Sequence, residues 1–262
     1  MQQLLEILYR GMDAFLLVFV RMTGLFVISP IFGRRNVPAY LKIGFSFFLA
    51  MILVNVIALP ELGYYNNIYQ FALLIFKEFI VGMAIGFVTY LVFSAIYVAG
   101  QLIDMQIGFG MVNILDPLSN IQIPVTANFY FILSMLAFLT VKGHHAVIKA
   151  LFASYKMVPL GGAALNSNLT DDIMRIFGNM FIIGFKIAAP VTAAILIADV
   201  ALGVMSKTIP QLNVFVVGMP AKILLGIAVL TITVPMFILL LGKVFDGMNE
   251  EIFKFLTDMG AR

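Results

Sequence analysis

Cysteine and tryptophan are absent from these 262 residues. Without cysteine there are no disulfides, no thiolate metal ligands and no cysteine nucleophile, and the compartment stays open. Charge is scarce too. Asp, Glu, Lys and Arg make up 11% of the chain, against about 25% in a soluble domain. The net charge of +3 is spread along the sequence with no basic run or stripe, so nucleic acid is not an expected partner. Catalytic constellations are also missing: no Walker loop, no GxSxG, no HExxH and no paired-carboxylate motif. The two histidines, His144 and His145, are adjacent. On a helix, neighbours point about 100° apart, which makes a poor joint metal site. They are expected to start a helix or turn after Gly143, and no metal or cofactor is expected.

What is present is apolar. Hydrophobic residues make up 62% of the chain and the mean hydropathy is +1.07, so the chain belongs in a membrane or in an assembly that shields it like one. The start, "MQQLLEILYRGMDAF", carries Glu6 and Asp13 in place of a basic leader, so the first segment is expected to be retained. Apolar segments run over Met12–Gly33, Val37–Leu59, Ile68–Asp104, Val125–Val141, Ala146–Val158, Ile173–Ser206 and Ala221–Val244. A closing amphipathic helix covers Phe245–Met259, with Phe245, Met248, Ile252, Phe255 and Met259 spaced by three and four. Period-two alternation is absent, so a barrel is not expected. The fold class is an all-α membrane protein.

The lengths do not suit straight spans. Ile68–Asp104 would form a helix of ~55 Å and Ile173–Ser206 one of ~50 Å, against ~30 Å of hydrocarbon. Pro190 is expected to bend the latter, and Ala146–Val158 is too short to cross. Bent helices and helical hairpins fit better. Charge topology conflicts as well: Arg34, Arg35 and Lys42 suggest that the first connection is cytoplasmic. Simple counting then puts Lys142, Lys149 and Lys156 outside.

Arg21, Lys77, Glu78, Asp104, Lys186 and Asp199 interrupt apolar segments. A charge at bilayer depth costs about 2.5–3.5 kcal/mol on insertion scales, so these groups should face protein or water. Structural pairing with another helix, or a position at the headgroup level, is expected over an ion path, because no two of them form a relay by spacing. Gly82 and Gly86 make a GxxxG, with Gly100 further along; small residues four apart let helices approach closely, within the chain or between subunits.

The stretch "QLIDMQIGFGMVNILDPLSNIQIP" (101–124) stands apart. Gly108, Gly110, Pro117 and Pro124 oppose a continuous helix, and Asp116-Pro117 and Asn120 favour turns. Its apolar residues would be sticky if exposed. Irregular backbone at membrane depth is tolerated only when buried in protein or facing a cavity. Two readings stay open from composition: a re-entrant segment that merely packs, and one that lines or blocks a water-filled path.

"GQLIDMQIGFGMVNILDP" (100–117), "GHH" (143–145), "PQLNVFVVGMPAK" (210–222) and "RMTGLFVISPIFG" (21–33) together resemble the export-gate family of type III secretion, shared by flagellar and virulence systems. The resemblance covers essentially the whole chain. It implies a single-copy core subunit at the centre of the flagellar basal body, in the bacterial inner membrane. It implies assembly with about five P-type and four Q-type small membrane subunits into a helical gate for unfolded flagellar proteins, beside other flagellar export proteins. Residues 1–158 would be P-like and 159–262 Q-like. The family's plug loop falls on 106–122, with Gly108, Phe109, Gly110, Met111, Val112 and Asn113 as plug and with Asp116 and Pro117 setting its exit turn. Pro210, Asn213, Phe215, Pro220 and Lys222 match a later loop at the cytoplasmic entrance; a plain helix–helix connection fits those residues equally.

A competing reading is an ion-coupled secondary transporter of a small solute. Broken helices, with Asp104 or Asp199 as the coupling site, motivate it. A repeat with a polar cluster at the midplane, which such proteins usually show, is not evident.

Overall fold

The computed structural model describes residues 2–33, 37–57, 68–111, 124–164, 167–211 and 213–260. Among the described residues there is no strand. The helices are α1 (Gln2–Ile28), α2 (Ala39–Val54), α3 (Ile68–Ile107), α4 (Val125–Thr140), α5 (Gly143–Met157), α6 (Ser167–Thr208) and α7 (Val214–Gly260). One 3₁₀ turn, Phe109–Met111, follows α3. Four described helices are long and apolar enough to cross a membrane, and α4 with α5 makes a fifth if the pair is one broken span. Several buried serine and threonine hydroxyls inside these helices bond back to their own backbone. Thr89 donates to the Ile85 carbonyl at 3.0 Å and Ser134 to the Tyr130 carbonyl at 2.6 Å, so neither presents an unmet polar group to an apolar surrounding.

Several boundaries differ from the sequence expectation. The segment Val37–Leu59 contains only the sixteen-residue α2, about 24 Å long and short of a span. Apolar composition continues past its C-cap, Asn55, and hydropathy alone does not mark where a helix stops. Pro190 lies inside α6, which is one helix from Ser167 to Thr208, and there it deprives the Lys186 carbonyl of its usual donor. The expected segments Ala221–Val244 and Phe245–Met259 form one continuous helix, α7. The closing face is nonetheless as expected: Phe245, Met248, Ile252, Phe255 and Met259 are all buried.

The chain forms two compact units, 1–91 with 142–176 and 245–262, and 92–141 with 177–244. Each takes residues from both sides of position 158.

In the first unit α1 packs on α2 through aromatic rings. Phe15 meets Phe47 edge to face at 5.1 Å, and Phe26 meets Phe45 at 5.4 Å. On its other side α1 lies against α3 at the GxxxG. A Cβ at Gly82 would collide with the Arg21 carbonyl oxygen, and one at Gly86 would come within 3.0 Å of the Leu25 carbonyl oxygen. Close backbone approach inside this chain is therefore one use of the motif.

In the second unit Phe93 of α3 meets Phe131 and Phe138 of α4 at 5.8 and 5.5 Å. Tyr130 of α4 stacks on Phe237 of α7 at 4.2 Å.

Candidate functional site

The residues expected to form the plug begin where α3 ends. Ile107 is its last residue, and Gly108 follows at φ +98°, a left-handed conformation that suits glycine and closes the helix. Gly108 N donates to the Asp104 carbonyl at 3.1 Å, the last helical bond. Phe109, Gly110 and Met111 then make the single 3₁₀ turn. Of the residues expected to form the plug, Gly108, Phe109, Gly110 and Met111 are therefore placed at the C-terminal end of α3. Val112, Asn113, Asp116 and Pro117 lie outside the described residues.

Pro124 is the N-cap of α4 and has no side chain able to cap it. Asp104 supplies the cap from α3. Thr126 N donates to its Oδ1 at 2.9 Å and its Oδ2 at 3.1 Å, and Ala127 N donates to Oδ2 at 3.3 Å. A carboxylate held by the first free N–H groups of a helix also meets the positive end of the helix dipole. Asp104 is buried, and its charge has partners. One turn back along α3, Gly100 makes the approach close: a Cβ there would collide with the Ala127 Cα. Both ends of the 108–123 stretch are thus pinned at one place, by a glycine contact and by a charge-assisted cap. Sequence reasoning noted Asp104 as an intrusive charge but not its partners. They are backbone N–H groups, which leave no mark in a sequence.

The later loop divides. Pro210 lies in the turn between α6 and α7. Asn213 caps α7, its Oδ1 accepting from Phe215 N at 3.1 Å. Phe215, Pro220 and Lys222 are inside α7, so the run 210–222 is only partly a loop. Pro220, matched to that loop by resemblance, lies in the second turn of α7. Lys222 Nζ pairs with Asp199 of α6 at 2.5 Å.

The remaining intrusive charges include a buried centre in the first unit. Arg21 of α1 is fully buried; its Nε donates to Glu78 Oε2 at 2.6 Å, Nη1 to Ser154 Oγ at 3.1 Å and Nη2 to the Val158 carbonyl at 3.0 Å. Glu78 Oε1 accepts from Gly161 N at 2.8 Å. The guanidinium lies 4.2 Å from the centre of the Tyr155 ring. Structural pairing with another helix, the expectation for these charges, holds for this pair and for Lys222–Asp199. Sequence named Arg21 and Glu78 singly; 57 positions apart, they carry no signal of being partners. A third cluster went unnoticed: Arg175 Nη1 donates to both Glu251 oxygens at 2.6 Å, and Nη2 to Asp172 at 2.9 Å.

His144 and His145 fall in the first turn of α5, their rings edge to face at 4.3 Å. Among the described residues no three of His, Asp and Glu gather where a metal could bind.

The family model of bacterial export proteins, family 1, matches residues 12–248. The chain belongs to that family. The flagellar biosynthetic protein FliR of Bacillus subtilis (strain 168) is 37% identical over 251 residues, covering 95% of this chain and 96% of that protein. The FliR of Escherichia coli (strain K12) is 31% identical over 244 residues, covering 92% and 90%. The FliR of Aquifex aeolicus (strain VF5) is 26% identical over 241 residues, covering 92% and 93%. The family match spans both the pinned stretch after α3 and the α6–α7 hairpin, so a role for either lies within the part shared with other family 1 export proteins.

Proposed function

We propose that this chain is a membrane-embedded component of the flagellar export apparatus, acting as the single-copy core subunit of a gate for unfolded flagellar proteins. It works without catalytic chemistry, by shaping and closing a conduit. The observation that carries the closing role is the pinned stretch after α3. Its described part leaves the helix through Gly108 and turns at Phe109–Met111. Its two ends are tied together by Asp104. An apolar turn fixed at its base blocks a narrow path and re-packs around a passing chain through Gly110 and Met111. On this reading Val112 and Asn113 continue the plug, Asp116 and Pro117 set its exit, and Pro210, Asn213, Phe215, Pro220 and Lys222 stand at the cytoplasmic entrance. The P-like part is 1–158 and the Q-like part 159–262. Partners are about five P-type and four Q-type subunits in a helical gate, at the centre of the basal body in the inner membrane.

Exposed apolar surface supports assembly with other membrane subunits. Leu224, Ile232, Met236 and Leu239 of α7 each leave more than 60% of their surface uncovered, and lipid or other subunits would cover them. The transporter reading is weaker: Asp104 is engaged by backbone N–H groups and Asp199 by Lys222, so neither is a free coupling carboxylate.

The test is the native mass of the complex that a tagged copy draws from its own membranes in mild detergent. One copy of this chain with several smaller membrane subunits is the expected result; a lone monomer or homodimer overturns the gate. Removing Gly108–Met111 from an assembled gate should make it leak small ions in a planar bilayer. Unchanged conductance, with assembly intact, refutes the plug.

A further inference from the structure

We infer that Asp104 is the positioning residue of the gate: its carboxylate clasps the start of α4 to the end of α3 and so holds the Gly108–Met111 turn in the closed place. This rests on the plug reading above and adds the element that keeps the plug seated. Three observations carry it. Asp104 sits one turn before the turn that closes α3, and 5% of its surface is exposed. Both its oxygens are taken by main-chain donors of α4, Thr126 N and Ala127 N. α4 lacks a cap of its own, because its N-cap is Pro124.

The last point separates two jobs that one carboxylate could do. Capping satisfies the free N–H groups of α4 and stabilises that helix. Clasping ties α4 to a different helix across 22 positions of chain. A local side chain at position 124 does the first job and cannot do the second. Serine, threonine, aspartate and asparagine cap best from a residue with extended backbone, and Pro124 has φ −68° and ψ 117°, which aspartate adopts without strain. Pro124→Asp therefore restores a cap without restoring the tie.

The experiment uses the assembled complex in three forms: Asp104→Asn, Asp104→Asn with Pro124→Asp, and deletion of Gly108–Met111. Resting ion conductance is read in planar bilayers, and amide hydrogen exchange is read at Thr126 and Ala127. The double variant protects α4 from fraying, so it remains informative if Asp104→Asn alone assembles poorly. The expected result is a severalfold rise in resting leak for Asp104→Asn, smaller than that of the deletion. The leak persists in the double variant even though its Thr126 and Ala127 amides are again protected. Sealing by Pro124→Asp overturns the inference, because Asp104 is then a helix cap only. A double variant that assembles and never leaks, while the deletion leaks, also overturns it and leaves the plug standing. A deletion that does not leak removes the plug and this inference together.

Discussion

α3 and α7 are the two most apolar long helices of the chain, and they use their apolarity differently. In the most apolar 18-residue stretch of α3, 67% of the residues are buried within the protein; in that of α7 the figure is 11%. Both read as continuous hydrophobic runs, and hydropathy says only that neither should meet water. α3 is covered by its own chain. Gly82 and Gly86 admit the α1 backbone, Gly100 admits α4, and Glu78 and Asp104 spend their charges on neighbouring helices. α7 places Leu224, Ile232 and Leu239 outward, each more than 70% exposed. Toward its C-terminal end, from Phe237 and Leu241 onward, it turns a face inward. The lesson is that packing is marked by small residues and satisfied charges, not by hydrophobicity.

The strongest way to break this contrast is to remove one member of the buried pair on α3's side. Glu78→Ala leaves the Arg21 guanidinium buried without its counter-ion and the Gly161 N–H without its acceptor. The expected loss is about 3–5 kcal/mol, read as a fall in the melting temperature and in the membrane level of the chain. Arg21→Met with Glu78→Leu should recover a large part of that loss, since an apolar pair of similar size avoids the stranded charge. Melting of the single variant at the parental temperature would mean that the centre is wetter than its burial suggests.

The glycines give a matched second test of opposite sign. Gly82→Val drives a side chain into the α1 backbone and should cost about 1–3 kcal/mol through overpacking. Gly242 of α7 meets nothing within 4 Å, so Gly242→Ala should stabilise the isolated chain by up to about 1 kcal/mol through helix propensity. Both are read by thermal unfolding in detergent. Repeating the pair in the assembled complex sharpens the comparison. If Gly242→Ala helps the chain but weakens the complex, its open side is where another subunit sits.

These tests also separate what was readable in the sequence from what was not. Helix type and the inward face of 245–259 followed from spacing, since a three–four repeat has only one helical reading. α3 runs three residues beyond the expected segment end at Asp104, to Ile107, and stops at Gly108, one of the glycines that oppose a continuous helix there. Helix limits inside apolar runs did not follow: nothing in Val37–Leu59 states that α2 stops at Val54, and nothing between Val244 and Phe245 states that α7 continues. Pro220 was matched to a later loop by resemblance alone, and it lies within the second turn of α7. The clasp at Asp104 was out of reach, as its donors are peptide groups common to every residue. Arg21 and Glu78 were visible as misplaced charges, but their partnership exists only once α1 and α3 lie side by side.

The smallest expected effect is at Lys222–Asp199, where the side chains are 23% and 41% exposed. A pair open to solvent contributes roughly 0–1 kcal/mol, so Lys222→Met should barely move the melting temperature of the isolated chain. The pair lies on the α6–α7 hairpin, however, beside the uncovered faces of Val200, Val204 and Leu224. If subunits cover that surface, assembly removes the water that screens Asp199, and the same substitution strands a carboxylate in the finished complex. The expectation is therefore a near-silent variant in the isolated chain and a reduced yield of complex, with Lys222→Arg largely restoring that yield. Equal and small effects in both settings would mean that this end of the hairpin stays wet after assembly. The open face of α7 would then have to be covered further along, around Ile232 and Leu239.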